Sequence, residues 1–85
     1  MFDAIGVMES LKAAGIKVID YTEGNDNEQV DGKVQLNDSV HVQVGPTYLC
    51  LVKETPDKRF MWMHETTSLT NMIYFIKLSI KERRL

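Results

Sequence analysis

The segment from Gly32 to Lys53 constrains the fold of this chain more than any other. Val34 and Leu36 alternate with polar residues, Asn37-Asp38-Ser39 interrupts, and Val40, Val42 and Val44 alternate again. A period of two marks a half-buried strand, and two such runs around a short polar break form a hairpin. Paired residues of an antiparallel ladder share one face of the sheet. A two-residue turn at Asn37-Asp38 sets Val34 against His41 and Leu36 against Ser39. A three-residue loop sets Leu36 against Val40 and Val34 against Val42, which keeps the apolar residues together and is the expected register.

The same logic at Gly45-Pro46-Thr47 sets Val44 against Tyr48, Val42 against Cys50 and Val40 against Val52. Thr55-Pro56-Asp57-Lys58 has proline where a type I turn favours it. It sets Glu54 against Arg59 and Val52 against Met61. The expected core face then carries Val34, Leu36, Val40, Val42, Val44, Tyr48, Cys50, Val52, Met61 and Met63. The opposite face carries Gln35, His41 and Gln43 on its early strands, and Leu49, Leu51, Phe60, Trp62 and His64 on its later ones.

Helices flank these strands. Met1 to Gly15 places Ala4, Val7, Met8, Leu11 and Ala14 on one stripe, with Asp3 as N-cap and Gly15 where a left-handed residue ends a helix. Lys17 to Thr22 reads as a first strand, followed by a polar connection from Glu23 to Gln29. Thr66 to Arg84 reads as a final helix, capped by Thr66, Thr67 or Ser68. Its main stripe is Leu69, Met72, Ile73, Ile76 and Ile80, with Tyr74, Leu78 and Leu85 roughly opposite. The expected architecture is one α+β domain over residues 1–85. Its order is α-β-β-β-β-β-α, with an antiparallel meander packed by the N- and C-terminal helices.

Composition sets bounds on function. The chain has 85 residues, 44% of them apolar, and a net charge of −2. No apolar run approaches the ~20 residues that span a bilayer, and no basic stretch followed by an apolar block marks a secretory signal. A single cysteine supports neither an internal disulfide nor a Cys-rich zinc module. Cytoplasmic residence is the default expectation.

Catalytic and metal-binding patterns are weak, and neither an enzyme nor a cofactor is expected. Cys50 lies mid-strand between Leu49 and Leu51, where apolar burial makes a thiol inert. His41 and His64, placed two strands and about 10 Å apart, are too distant to share a zinc. The acidic residues Asp20, Glu23, Asp26, Glu28 and Asp31 match a calcium loop poorly. Counting from Asn27 puts Gly32 sixth but Asp38, not Glu, twelfth. The restriction-nuclease pattern of an acid followed by acid-x-Lys finds Leu51-Val52-Lys53 at the matching strand and lacks the carboxylate.

Two surfaces remain. Leu49, Leu51, Phe60 and Trp62 on the second sheet face, with Tyr74 and Leu78 on the last helix, exceed what one core needs. Either the first helix covers the sheet residues, or this surface binds a protein partner or a second copy of the chain. Charge is also uneven: residues 1–40 carry 8 acids and 3 bases, and residues 41–85 carry 4 acids and 7 bases. Lys77, Lys81 and Arg84 share one edge of the last helix. They are candidate phosphate contacts under the alternative of a small nucleic-acid-binding or regulatory protein. They also complement the helix dipole. The leading expectation is a non-enzymatic interaction or structural module that pairs with another protein or with itself.

Overall fold

Five antiparallel strands run in sequence order as a meander: β1 (Asp20–Thr22), β2 (Gly32–Gln35), β3 (Val40–Val44), β4 (Leu49–Glu54) and β5 (Phe60–Thr66). Helix α1 (Ala4–Ala13) precedes them and α2 (Leu69–Lys81) follows. The computed structural model describes residues 1–25 and 27–85. Asp26, one of the acidic residues of the Glu23–Asp31 stretch, lies outside the described residues. The α+β meander is the architecture that the alternation predicts.

The helix ends follow local chemistry. The Asp3 carboxylate accepts from the Gly6 N–H at 2.7 Å, and the Ser68 hydroxyl accepts from the Asn71 N–H at 3.2 Å. Each satisfies a donor that a helix start leaves unpaired. At the C-terminus of α1, Gly15 adopts φ 85°. Its N–H donates to the Lys12 carbonyl and the Ile16 N–H to the Leu11 carbonyl, which is the Schellman arrangement. Ile16, 4% exposed, then joins the core.

Both helices pack on the same face of the sheet. Val7 and Leu11 of α1 and Met72 and Ile76 of α2 form one buried cluster with Val34, Val42, Val44, Leu49 and Leu51. Helix α1 lies against β1 and β2, and α2 against β4 and β5. The first helix therefore does not cover the second sheet face, and among the described residues no helix lies on it. On α2 the buried stripe is Met72, Ile76 and Ser79, and Ile80 is half exposed. The elements are also shorter than the periodicity suggests, since β1 begins at Asp20 and α2 at Leu69.

The first hairpin has the expected register, with Val34 opposite Val42. The Asn37 side-chain carbonyl accepts from the N–H groups of Ser39 and Val40 at 2.8 and 2.9 Å, which fixes the three-residue loop. The second hairpin differs from expectation by one residue. Val44 pairs with Leu49 and Val42 with Leu51. A one-residue slip turns every side chain of a strand over. Leu49 and Leu51 thus point into the core, and Cys50 and Val52 point to the other face.

The cause is the loop Gly45–Tyr48. Tyr48 folds its ring so closely over Gly45 that a Cβ there has no room. Its hydroxyl reaches the Asp31 carboxylate, so Tyr48 does not join the strand. The run Leu49-Cys50-Leu51-Val52 is apolar at every position, so alternation cannot choose its inward face. The observed choice buries two leucines in the main core in place of a cysteine and a valine.

The third hairpin also departs from expectation. The expected turn at Thr55–Lys58 does form, with the Lys58 N–H donating to the Thr55 carbonyl at 2.9 Å, but Lys58 adopts φ 64° and the Thr55 N–H donates to the Arg59 carbonyl, so Glu54 pairs with Phe60 instead of Arg59. A bulge then separates the Val52–Trp62 pair from the Leu51–His64 pair, with Met63 as the extra residue. Phe60 and Trp62 stay on the second face as expected. His64 crosses to the helix side, where it stacks on Phe75 at 4.2 Å and 8° and hydrogen-bonds Asn71 at 2.6 Å.

Candidate interaction surface

The open face of the sheet is organised in cross-strand rows. One row runs Thr22, Lys33, Gln43, Cys50, Glu65 from β1 to β5, and the next runs Asp20, Gln35, His41, Val52, Trp62. Glu54 and Phe60 form the start of a third. Parity along each strand places these residues opposite to the buried valines and leucines.

Trp62 is 62% exposed and Phe60 63% exposed, adjacent on β5 and on the same side. The His41 ring meets Phe60 edge-on at 6.3 Å and 81°. Val52 lies between His41 and Trp62 in its row and is only 2% exposed. A shallow depression of about 320 Å³ on this side is lined by residues that include Ile19, Lys33, Asp38, His41, Glu54 and Phe60. The apolar centre is thus bordered by charge: Lys33 on one side, Glu54 and Glu65 on the other.

Electrostatics match this environment. Partial burial pushes the His41 imidazole below its ordinary value of 6.5; Lys33 pushes the same way and Glu54 opposes. Burial pushes the Cys50 thiol up, with Glu65 adding to it. This thiol is fully buried although it lies on the face without helices, and a thiol held protonated is a poor nucleophile. At the edge of the face, Gln43 donates to Asp31 at 2.6 Å and to the Tyr48 hydroxyl at 3.2 Å. Asp31 accepts from Tyr48 as well, and that bond pushes the Tyr48 hydroxyl up. This trio ties the start of β2 to the Gly45–Tyr48 loop.

The residues singled out in the sequence separate into three places. Leu49 and Leu51 are fully buried in the core, which removes them from any interaction surface. Phe60 and Trp62 stand on the open face. Tyr74, 67% exposed, and Leu78, 37% exposed, lie on α2, which packs on the other side of the sheet. Val52, Lys33 and Glu65 were missed. The parity that places Gln35 and Gln43 also places Lys33, whereas Val52 and Glu65 depend on the slipped register and the bulge.

Lys77, Lys81 and Arg84 are all exposed. Arg84 pairs with Glu82 at 3.5 Å, and Lys53 donates to the Arg84 carbonyl at 3.0 Å, adding a base from β4 to that end of α2. Among the described residues no three His, Cys, Asp or Glu side chains gather as a metal site, and no helix is long and apolar enough to cross a membrane. Comparison with protein-family models, with curated proteins and with solved structures finds no match.

Proposed function

We propose that this domain is a non-enzymatic protein-interaction module whose working surface is the open face of the sheet. The observation that carries the proposal is the pair Phe60 and Trp62, each more than three-fifths exposed, side by side on a face with no helix over it. Aromatic side chains are frequent anchors of interfaces, and they lose little conformational freedom when a partner covers them. The charged border around Val52 supplies orientation, as rim charges do in other interfaces. Cytoplasmic residence belongs to the same proposal, supported by the single buried thiol of Cys50.

The test is capture of binding partners with three baits: the unaltered chain, Phe60→Ser with Trp62→Ser, and Tyr74→Ser. The proposal expects a partner, another protein or the chain itself, that the first and third baits retain and the second loses. Circular dichroism confirms that all three are folded. Retention that ignores the Phe60/Trp62 substitution rejects the open face as the working surface.

A second reading draws on Lys53 joining Lys77, Lys81 and Arg84 at the end of α2. These bases would contact phosphates of a nucleic acid, with affinity that falls steeply as salt rises. Lys77→Glu with Lys81→Glu abolishes low-salt retention of nucleic acid if this reading holds. Unchanged retention, or none in the unaltered chain, removes it.

A further inference from the structure

We infer that the partner of the open face is a second copy of this chain, packed sheet against sheet about a two-fold axis parallel to the strands between β3 and β4. This rests on the open face being the working surface. The row Lys33, Gln43, Cys50, Glu65 is positive at its β2 end and negative at its β5 end. Rotation about an axis midway between β3 and β4 carries β2 over β5 and β3 over β4, and keeps each row at its own level. Lys33 then stands over the partner's Glu65, and Glu65 over the partner's Lys33. One level along, His41 stands over the partner's β4, and Trp62 meets the partner's Gln35.

Along this row the face is therefore complementary to itself in charge, as an isologous contact requires. Among the described residues neither Lys33 nor Glu65 has an ion-pair partner within its own chain, and both are exposed. The exposed aromatics Phe60 and Trp62 lie on the edge strand β5, which the rotation sets over the partner's β2. Packed sheets lie about 10 Å apart, a gap that long side chains at the border bridge.

Area bears on the strength of the contact. The chain exposes 5674 Å². A monomer of 9.8 kDa is expected to expose about 5,200 Å², so the excess is about 500 Å². Four strands, β2 to β5, overlap under this rotation, about 19 Å across and about 17 Å along the strands, a footprint of about 320 Å² per copy. That is smaller than a standard stable interface, so the expected dimer is weak and forms only as the chain is concentrated.

Sedimentation equilibrium of the full chain from about 1 μM to 500 μM tests the inference. A reversible monomer–dimer equilibrium is expected. Lys33→Glu alone and Glu65→Lys alone each turn two attractions into two repulsions and raise the dissociation constant by about tenfold or more. The combined reversal returns it to within about threefold of the original. Urea titration of each variant shows that the fold is intact. A chain that stays monomeric across the range overturns the second copy as partner. The open face as a surface for another protein is then decided by the Phe60/Trp62 baits. A dimer on which the combined reversal acts no better than the single changes overturns the two-fold arrangement.

Discussion

The two faces of one sheet share every strand, yet they do opposite work. On the helix side, the row Val34, Val42, Leu51 is fully buried beneath α1 and α2. One residue further along the strands, the row Gln35, His41, Val52, Trp62 has no helix over it and ends in an indole 62% exposed. Burial on this sheet therefore has two sources. The helix side is buried by other elements. Cys50 and Val52 are buried on the open side without a covering helix, because β4 sits between strands that carry larger side chains. A partner on the open side has therefore to cover chiefly Phe60, Trp62 and their charged border.

The sharpest contrast is energetic. Leu51→Ala removes a fully buried side chain from between Val42 and the α2 side, and its cost is expected at about 2–5 kcal/mol in urea unfolding. A cost under about 1 kcal/mol would mean that the helix side is not the core. Tyr48→Phe leaves Asp31 with Gln43 alone, and a bond to a charged group is worth about 1.5–3 kcal/mol. The same measurement should show a loss near the lower figure. Trp62→Ala is expected to cost the monomer about 1 kcal/mol or less, because most of the ring already meets water. If Trp62→Ala destabilises the monomer as much as Leu51→Ala, the two faces are not distinct in the way described.

Proton linkage gives the smallest effect. Because His41 sits below its ordinary 6.5 when folded, the unfolded chain takes up the proton first as pH falls. Its contribution is fully present above about pH 6.5 and is lost as pH falls through the lower folded-state value. Stability against urea should decline over that window, and His41→Gln should flatten the decline. A decline unchanged in His41→Gln would place the linkage at another group.

Local chemistry was legible where a single residue type has one good use. Asp3, Gly15 and Ser68 mark helix ends because their side chains or φ suit those positions and few others. The Asn37 turn was legible because strict alternation on both sides leaves one register with all valines inward. β4 was not, because Leu49-Cys50-Leu51-Val52 is apolar on both faces and the deciding contact is Tyr48 with Asp31, seventeen residues away. The same slip moved Leu49 and Leu51 from candidate surface to core. The bulge at Met63 then reversed His64 and Glu65, since an extra residue changes parity without any signal in composition. Phe60 and Trp62 were placed on the open face because two errors of register before the bulge cancelled there. That no helix covers them is a tertiary fact with no sequence signature.

Trp62 is the chain's single tryptophan, so its fluorescence reports directly on the open face. An emission maximum typical of a water-exposed indole is expected at the lowest concentrations, shifting to shorter wavelength and saturating as the chain is concentrated. Lys33→Glu should move that transition to higher concentration. Emission that remains water-exposed across the whole range, in a chain that sediments as a monomer, contradicts pairing through this face.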